Sequence, residues 1–373
     1  MSEAEVTREG ERGRRPGREA VPGERGGYER PGPRRRRKGE RTVVPEAEFG
    51  SYYGRPIIKE PPWAAVDIAG YLFFGGLAGG SSALAAGAEL TGRPALARAG
   101  KIGALAAISL STAALIHDLG RPARFLNMLR VVKPTSPMSM GSWILIAYGP
   151  ATGVAAVTDV TGLLLRGGTT PHTPRKGKPS RLPPLRWRSA TGTGTVPRIG
   201  RAATIWAGLS GAGVASYTSV LIANTAVPAW HEAHREMPFM FVGSGTIAAS
   251  GLGLLAAPVH ENAPARASAV FGAVLELAAG HRMRRRLGLL AEPYRKGRGG
   301  ALMRAAQALT VAGTAGAAFA AGRSRLGAAL AGGALLAGSA CTRFGVFEAG
   351  RASARDPHYT VAAQRSGHAP AVE

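Results

Sequence analysis

The feature that most restricts how this chain can fold is a succession of eight apolar stretches, each long enough for one membrane-crossing helix. A hydrocarbon core of about 30 Å needs roughly 20 mainly apolar residues in a helix. The stretches run over about 63–90, 95–117, 140–165, 201–224, 238–257, 264–280, 301–322 and 326–349. The sequence therefore predicts an all-α integral membrane protein with about eight transmembrane helices in a bundle.

Two details of this pattern predict how the helices pack. The last two stretches are separated only by residues 322–325, so they should form a tight antiparallel pair. Residues 75–80 contain two pairs of small residues at a spacing of four, which allows neighbouring helix backbones to approach closely. An even number of crossings also places both termini on the same side of the membrane.

Composition divides the chain into three parts. Residues 1–60 hold 15 Lys or Arg and 11 Asp or Glu, with many Gly and Pro, and cannot bury enough apolar surface to fold alone. We therefore expect a disordered charged tail at 1–60, a membrane domain at 61–350 with a polar loop at 166–200, and a C-terminal tail at 351–373. The basic run at 34–38 is better explained by lipid contact or topology than by nucleic acid, which is not an expected partner.

The orientation is only weakly encoded, because Lys and Arg are almost evenly divided between the two sets of loops. The basic tail, and the smaller weight of long loops in the positive-inside rule, favour cytoplasmic termini. The expected location is the inner or plasma membrane of a cell, and the lipid bilayer is an expected partner.

Four motifs interrupt or follow the apolar stretches. Residues 117–125 read His-Asp-Leu-Gly-Arg-Pro-Ala-Arg-Phe, and 134–140 read Pro-Thr-Ser-Pro-Met-Ser-Met. Residues 224–230 read Asn-Thr-Ala-Val-Pro-Ala-Trp, and the segment 348–361 begins Glu-Ala-Gly-Arg. Charges at the end of a membrane helix are costly unless they pair or face water, so the first motif is a functional hypothesis by default.

These motifs resemble, in order, those of the NrfD and polysulfide reductase membrane-subunit family (NrfD/PsrC), and the resemblance covers about 61–365. It implies a membrane anchor and quinone-reactive subunit that exchanges electrons between menaquinone or ubiquinone and a 4Fe-4S ferredoxin-like subunit. A molybdenum or tungsten bis-pterin (molybdopterin) catalytic subunit would complete the complex. The chain would then be one subunit of an oxidoreductase of anaerobic respiration, and not a complete enzyme alone.

The cysteine and histidine content limits the cofactors that this chain can hold. Its one cysteine, Cys341, cannot supply the thiolates of an iron–sulfur cluster. The histidines lie at the ends of apolar stretches or in polar segments, so no haem between helices is expected. His231 and His234, with Glu232 and Arg235 beside them, offer too few ligands to predict a metal site.

Polar residues in or beside the apolar stretches are the candidates for binding a quinone and relaying its protons. A quinone needs an apolar slot, hydrogen-bonding groups for its carbonyls and a proton route to water. The candidates are Asp67, Tyr71, His117, Tyr148, Asp159, Tyr217 and Asn224. Asp67 and Tyr71 lie one turn apart and can face one cavity, or Asp67 can simply compensate the helix dipole.

Physical reasoning favours the third stretch most, because Tyr148, Thr152 and Asp159 form a polar stripe along it. Thr152 has a plain alternative, a hydrogen bond to its own helix backbone. Tyr217 and Asn224 can complete the same cavity or make ordinary interhelical hydrogen bonds.

The first motif allows two interpretations. His117 beside a carboxylate titrates near neutrality and is a candidate proton relay. Asp118, Arg121 and Arg124 can relay protons as well, or form a structural clamp around the turn where Pro122 starts the next segment.

Two acids leave other functions open. Glu89 is either a proton relay or an interfacial residue, and Glu276 marks either a second proton path or an ion pair with the arginines that follow it. A transporter or ion-conducting protein would use such acids as coupling sites, although the sequence shows no obvious inverted repeat. A purely structural anchor would hold the iron–sulfur subunit and show no dependence on quinone.

Overall fold

The computed structural model describes residues 6–7, 10–11, 57–120, 123–166 and 195–366. Most of the predicted charged tail and of the 166–200 loop lies outside these residues. In the described part, β1 (Val6–Thr7) pairs antiparallel with β2 (Gly10–Glu11), and all other regular structure is helical. The α-helices are α1 (Ala65–Leu90), α2 (Pro94–Asp118), α3 (Ala123–Met128), α4 (Pro137–Arg166), α5 (Thr195–Ala223), α6 (Pro228–Glu232), α7 (Met237–Ala256), α8 (Ala263–Arg286), α9 (Gly297–Phe319), α10 (Arg325–Arg355) and α11 (Pro357–Ser366).

Eight of the described helices have at least 20 residues, and six of them are long and apolar enough to cross a membrane. These six are α1, α2, α4, α5, α7 and α10. The other two, α8 and α9, correspond to the sixth and seventh predicted stretches, and Glu276 and a basic end lower the apolar content of α8. Since α8 still exposes Val270, Phe271 and Val274, it presents an apolar face to its surroundings. The prediction of an all-α membrane bundle is confirmed.

Helix starts follow local chemistry. Pro stands in the first turn of α2, α6, α7 and α8, where its missing N–H leaves no hydrogen bond unmade. The turn between α1 and α2 needs a left-handed residue, and Gly92 provides it with a φ of 73°. At the start of α10, the Ser324 side chain accepts a hydrogen bond from the Gly327 N–H.

Helix α1 lies at the centre of the bundle and packs against α2, α5, α7 and α10. Its glycines lie on two of its faces. A Cβ at Gly80 would lie 2.5 Å from the Gly245 carbonyl on α7, and one at Gly79 would collide with Gly211 on α5. The predicted close approach at small residues is therefore confirmed, and it accounts for the density of Gly in these helices.

The bundle has two ends, which we call the near end and the far end and define by where α1 and α10 begin and end. At the near end α1 begins and α10 ends, and at the far end α1 ends and α10 begins. The chain enters and leaves at the near end, where Glu60, ahead of α1, pairs with Arg351 at 2.7 Å and with Arg355 at 2.8 Å. Helices α9 and α10 form the expected antiparallel pair. The cytoplasmic assignment of the near end stays a prediction.

Candidate functional site

The near end brings together two of the predicted residues from different helices. His117 Nδ1, in the last turn of α2, lies 3.0 Å from Asp67 Oδ2, in the first turn of α1. An acid in the first turn of a helix and a basic residue in the last turn are both favoured by the helix dipole. The contact with His117 and the dipole explanation of Asp67 are therefore compatible. The imidazole is 78% exposed and the Asp67 side chain only 19%. This arrangement joins a partly buried carboxylate to a group that reaches water.

Two tyrosines lie below this pair, deeper in the bundle. Tyr71 is buried one turn after Asp67, and the Ser111 hydroxyl of α2 donates a 3.1 Å hydrogen bond to the Tyr71 carbonyl. Tyr217 of α5 is 9% exposed, and its ring packs against Gly141 of α4, where any Cβ would overlap it. Four helices thus contribute to one polar region, bounded by apolar neighbours.

The first motif is described only in part. Asp118 is half-buried beside His117 in the last turn of α2, and Gly120 follows with a φ of 67°. Arg121 and Pro122 lie outside the described residues, as does the side chain of Arg124. The structural clamp around Pro122 therefore stays a prediction.

The third and fourth motifs, at 224–230 and 348–361, meet at the near end. Trp230 is fully buried, donates a 2.8 Å hydrogen bond to the Val346 carbonyl, and packs on Gly350 of α10. Its ring also stacks with Trp63 at 6.0 Å. Asn224 is exposed just after α5 ends, and the His231 ring bonds the Ala223 carbonyl at 3.1 Å. The motifs are therefore a packing unit that closes the near end.

Asp159 belongs to a second polar region, at the far end. Arg98 pairs with Asp159 at 2.8 Å, and the buried Lys101 lies 2.7 Å from Glu89 and 3.5 Å from Asp159. Two cations thus compensate two acids at the ends of α1, α2 and α4. The contact with Lys101 does not decide whether Glu89 is a proton relay or an interfacial residue, because an acid in an interfacial ion pair can also exchange protons.

Tyr148 lies between the two ends. Its hydroxyl and that of Ser82 on α1 are 2.7 Å apart, and either can donate. Thr152 donates a 2.9 Å hydrogen bond to the Tyr148 carbonyl, which is the plain alternative expected for it. A small cavity lined by Ser82, Lys101, Thr152 and Thr204 lies between this pair and the far-end ions and touches both.

The structure therefore spreads the predicted candidates along the bundle and does not bring them into one shared cavity. Tyr217 packs at Gly141, while Tyr148 is two helical turns further along α4, or about 10 Å. Asp67, Tyr71, His117 and Tyr217 gather at the near end, and Asp159 lies at the far end. Only the near-end group combines an acid, an imidazole and phenols.

Sequence reasoning missed several paired charges. Lys101, Arg98 and Glu60 were not singled out, because each of their partners lies on a different helix or segment, from 12 to 295 residues away along the chain. Hydrogen bonds from Arg355 and Arg351 hold the pKa of Glu60 below its ordinary value. The sequence shows only that each is a charged residue next to an apolar stretch. That position does not predict which residue it pairs with.

Chemically, the near end offers a carboxylate and an imidazole that can take part in hydrogen bonds, and the imidazole is exposed to water. The described residues include no group of three or more His, Cys, Asp or Glu that could hold a metal ion.

Comparison with known families agrees with this architecture. The family described as "Polysulphide reductase, NrfD" matches residues 59–291, from the segment before α1 to the turn after α8. No curated protein matches the chain. The fourth motif, at 348–361, lies beyond the matched residues. Since the match covers more than half of the chain, this multi-pass membrane protein belongs to the NrfD polysulphide reductase family.

Proposed function

We propose that this chain is the membrane anchor and quinone-reactive subunit of an oxidoreductase complex, with its quinone site at the near end. The observation that carries the proposal is the 3.0 Å contact between Asp67 and His117. It places a carboxylate and an imidazole at one end of a membrane bundle, where a membrane-soluble ring has access.

Oxidation of a quinol releases two electrons and two protons, and reduction of a quinone takes them up. In the proposed site, Asp67 orients the imidazole, and His117 passes protons between the quinone and water because most of its ring is exposed. Tyr71 and Tyr217 supply hydroxyl groups that can bond a quinone oxygen. The described residues have no role as electron carriers in this proposal.

The electrons therefore pass to or from a partner. We propose a 4Fe-4S ferredoxin-like subunit that docks at the near end and is connected to a molybdopterin catalytic subunit. Family membership and the position of the acid–imidazole pair support this partner. Purification in mild detergent under anaerobic conditions, followed by iron, molybdenum, tungsten and quinone analysis, tests it directly.

The test of the quinone site is binding of a fluorescent hydroxyquinoline N-oxide, a quinone analogue, to the solubilised chain. Asp67→Asn and His117→Gln should each weaken binding about tenfold to a hundredfold, the usual loss for one charge-assisted hydrogen bond. Asp159→Asn at the far end is the matched control and should bind like the wild type. Equal binding by all three variants, or no binding by the wild type, contradicts the proposal.

A further inference from the structure

A second set of buried polar groups lies among α7, α8 and α10, apart from the near-end site. Glu276 of α8 is 6% exposed and Arg343 of α10 is fully buried. Thr342 donates a 2.5 Å hydrogen bond to Glu276 Oε1, so the acid is bonded to the residue that precedes the cation. One of the two interpretations of Glu276, an ion pair with the arginines at the end of α8, does not appear among the contacts described for these residues, because Arg282 and Arg286 pair with Glu236 instead.

Arg343 is held by α7 and covered by α1. Its Nη2 donates a 2.6 Å hydrogen bond to the Phe241 carbonyl, and its guanidinium lies 3.7 Å from the centre of the Phe241 ring. A Cβ at Gly76 would lie 2.7 Å from Nη2, so only Gly leaves room for the guanidinium there. The packing of α1 and α7 therefore leaves a space that the Arg343 guanidinium fills.

Both charged groups keep polar atoms that no described residue satisfies. These atoms are Glu276 Oε2, Arg343 Nε and Arg343 Nη1. An ion at this depth costs several kcal/mol unless its hydrogen-bonding capacity is met. Water can meet it for both groups, and a proton can meet it for the carboxylate. The unmet atoms therefore point to a hydrated site that binds protons.

Hydroxyl groups extend from this pair toward the far end. Thr342 also lies 3.2 Å from the Gly338 carbonyl, and a Cβ at Gly338 would lie 3.0 Å from Thr310 Oγ1. Thr310 and Thr314 stand one turn apart on α9, and both hydroxyl oxygens are buried without a described partner. Water molecules bridge such hydroxyls readily, and a row of them can transfer protons.

Few other ionisable groups face Glu276. Helix α7 carries none along its whole length, and the arginines of α9 lie toward its near end. On α10, Cys341 and Arg343 are the ionisable groups at this depth, and on α1 the acids Asp67 and Glu89 lie close to its two ends. Arg343 is thus the cation that balances Glu276.

We propose that Glu276 is a proton-binding site, charge-balanced by Arg343, which exchanges protons with the far end through a hydrated row formed by Thr342, Thr310 and Thr314. Proton uptake converts the carboxylate to a neutral acid and leaves the Arg343 charge uncompensated, and proton release restores the neutral pair. This gives the chain a proton-handling function that needs no quinone and lies in the other half of the bundle.

Infrared difference spectroscopy of the full chain in phosphatidylcholine liposomes, between alkaline and acidic buffer, tests the site. We expect a protonated-carboxyl band that shifts in heavy water, disappears in Glu276→Gln and persists in Glu292→Gln, an acid at the near-end surface. In Arg343→Gln the band should appear at higher pH, because the carboxylate has lost its compensating cation. Thr342→Val, the milder change, should shift the frequency of the same band.

The route has its own test, which uses the rate of deuterium exchange at that carboxyl. The double variant Thr310→Val and Thr314→Val should slow the exchange about tenfold, since the loss of one hydrogen-bonded step adds about 1.4 kcal/mol to the barrier. Thr246→Val on α7, whose hydroxyl bonds its own backbone, is the control. A carboxyl band that survives Glu276→Gln, or no titrating band, overturns the site, and unchanged exchange in the double variant overturns the route. Neither result bears on quinone binding at the near end.

Discussion

At the scale of single residues, pairing between helices decides which charges the bundle can keep. Glu236, at the start of α7, is 4% exposed, and Arg286 at the end of α8 donates hydrogen bonds of 2.8 and 2.7 Å to its two oxygens. This bidentate contact is the main reason that the pKa of Glu236 lies below its ordinary value. The pair joins the start of α7 to the end of α8.

Arg286→Gln should lower the free energy of unfolding by about 2 kcal/mol, because it leaves a buried carboxylate without its cation. This loss of stability is smaller than is usual for a fully buried ion pair, because the Arg286 side chain is 29% exposed. Arg282→Gln is the matched control, since that arginine is 84% exposed and lies 3.9 Å from Glu236. Its effect should stay within about 0.5 kcal/mol. Chemical denaturation in detergent measures both.

The same pair predicts a pH dependence. A carboxylate whose folded pKa is lowered contributes stability that is fully present above its ordinary pKa of about 4.3 and is lost as the pH falls through the lower folded value. The stability difference between the wild type and Arg286→Gln should therefore shrink as the pH falls below about 4. A difference that stays constant over this range would contradict the assignment.

Residue types were easier to predict from the sequence than their partners. Asp67 and His117 were each identified as polar groups at the ends of apolar stretches, and the structure places them in contact. Lys101 was not identified, because a single Lys at the start of a stretch looks like any interfacial charge. Spacing along one helix shows which residues share a face, but a contact between helices depends on how the helices cross.

At the scale of helices, the small residues of α1 set the distances between neighbours. Gly79 packs directly on the α5 backbone, with the Ala215 nitrogen 3.1 Å from the position of a Cβ. Gly87, in the same helix, would meet nothing within 4 Å. The two glycines therefore have the same helix propensity but opposite packing environments.

Gly79→Ala should destabilise the protein by about 1–3 kcal/mol, because backbone atoms of α5 cannot move aside for the methyl group. Gly87→Ala should be neutral or stabilising by up to about 1 kcal/mol, the gain in helix propensity. Thermal unfolding of both variants in detergent gives the comparison. Equal loss of stability in the two would show that backbone flexibility, and not close packing, explains the glycines of α1.

The existence of the long helices was predictable from apolar length, but the chemistry of their ends was not. At the far end, Glu261 accepts hydrogen bonds from the Ala95 and Leu96 N–H groups and so caps α2. Arg266 donates to the carbonyls at the end of α9, and Arg325 to those at the end of α7. Each charge has the sign that the helix dipole favours, yet each comes from a different helix than the one it caps.

At the scale of the whole molecule, the two ends differ in their polar chemistry. The near end has a carboxylate–imidazole pair, whereas the charges around Asp159 at the far end pair with cations. In the proposed complex, the partner that exchanges electrons with a near-end quinone docks at that end. The membrane orientation of the chain therefore decides which compartment contains the partner.

Orientation can be measured with single cysteines in a Cys341→Ser background, which removes the only native thiol. Arg282→Cys reports on the near end and His260→Cys, whose parent side chain is 79% exposed, on the far end. If the termini are cytoplasmic, a membrane-impermeant thiol reagent should label His260→Cys on intact cells, and Arg282→Cys only after permeabilisation. The reverse pattern would place the near end, with the proposed quinone site and its partner, outside the cytoplasm. Either pattern fixes the side of the membrane on which the exposed His117 ring meets water, because His117 lies at the near end.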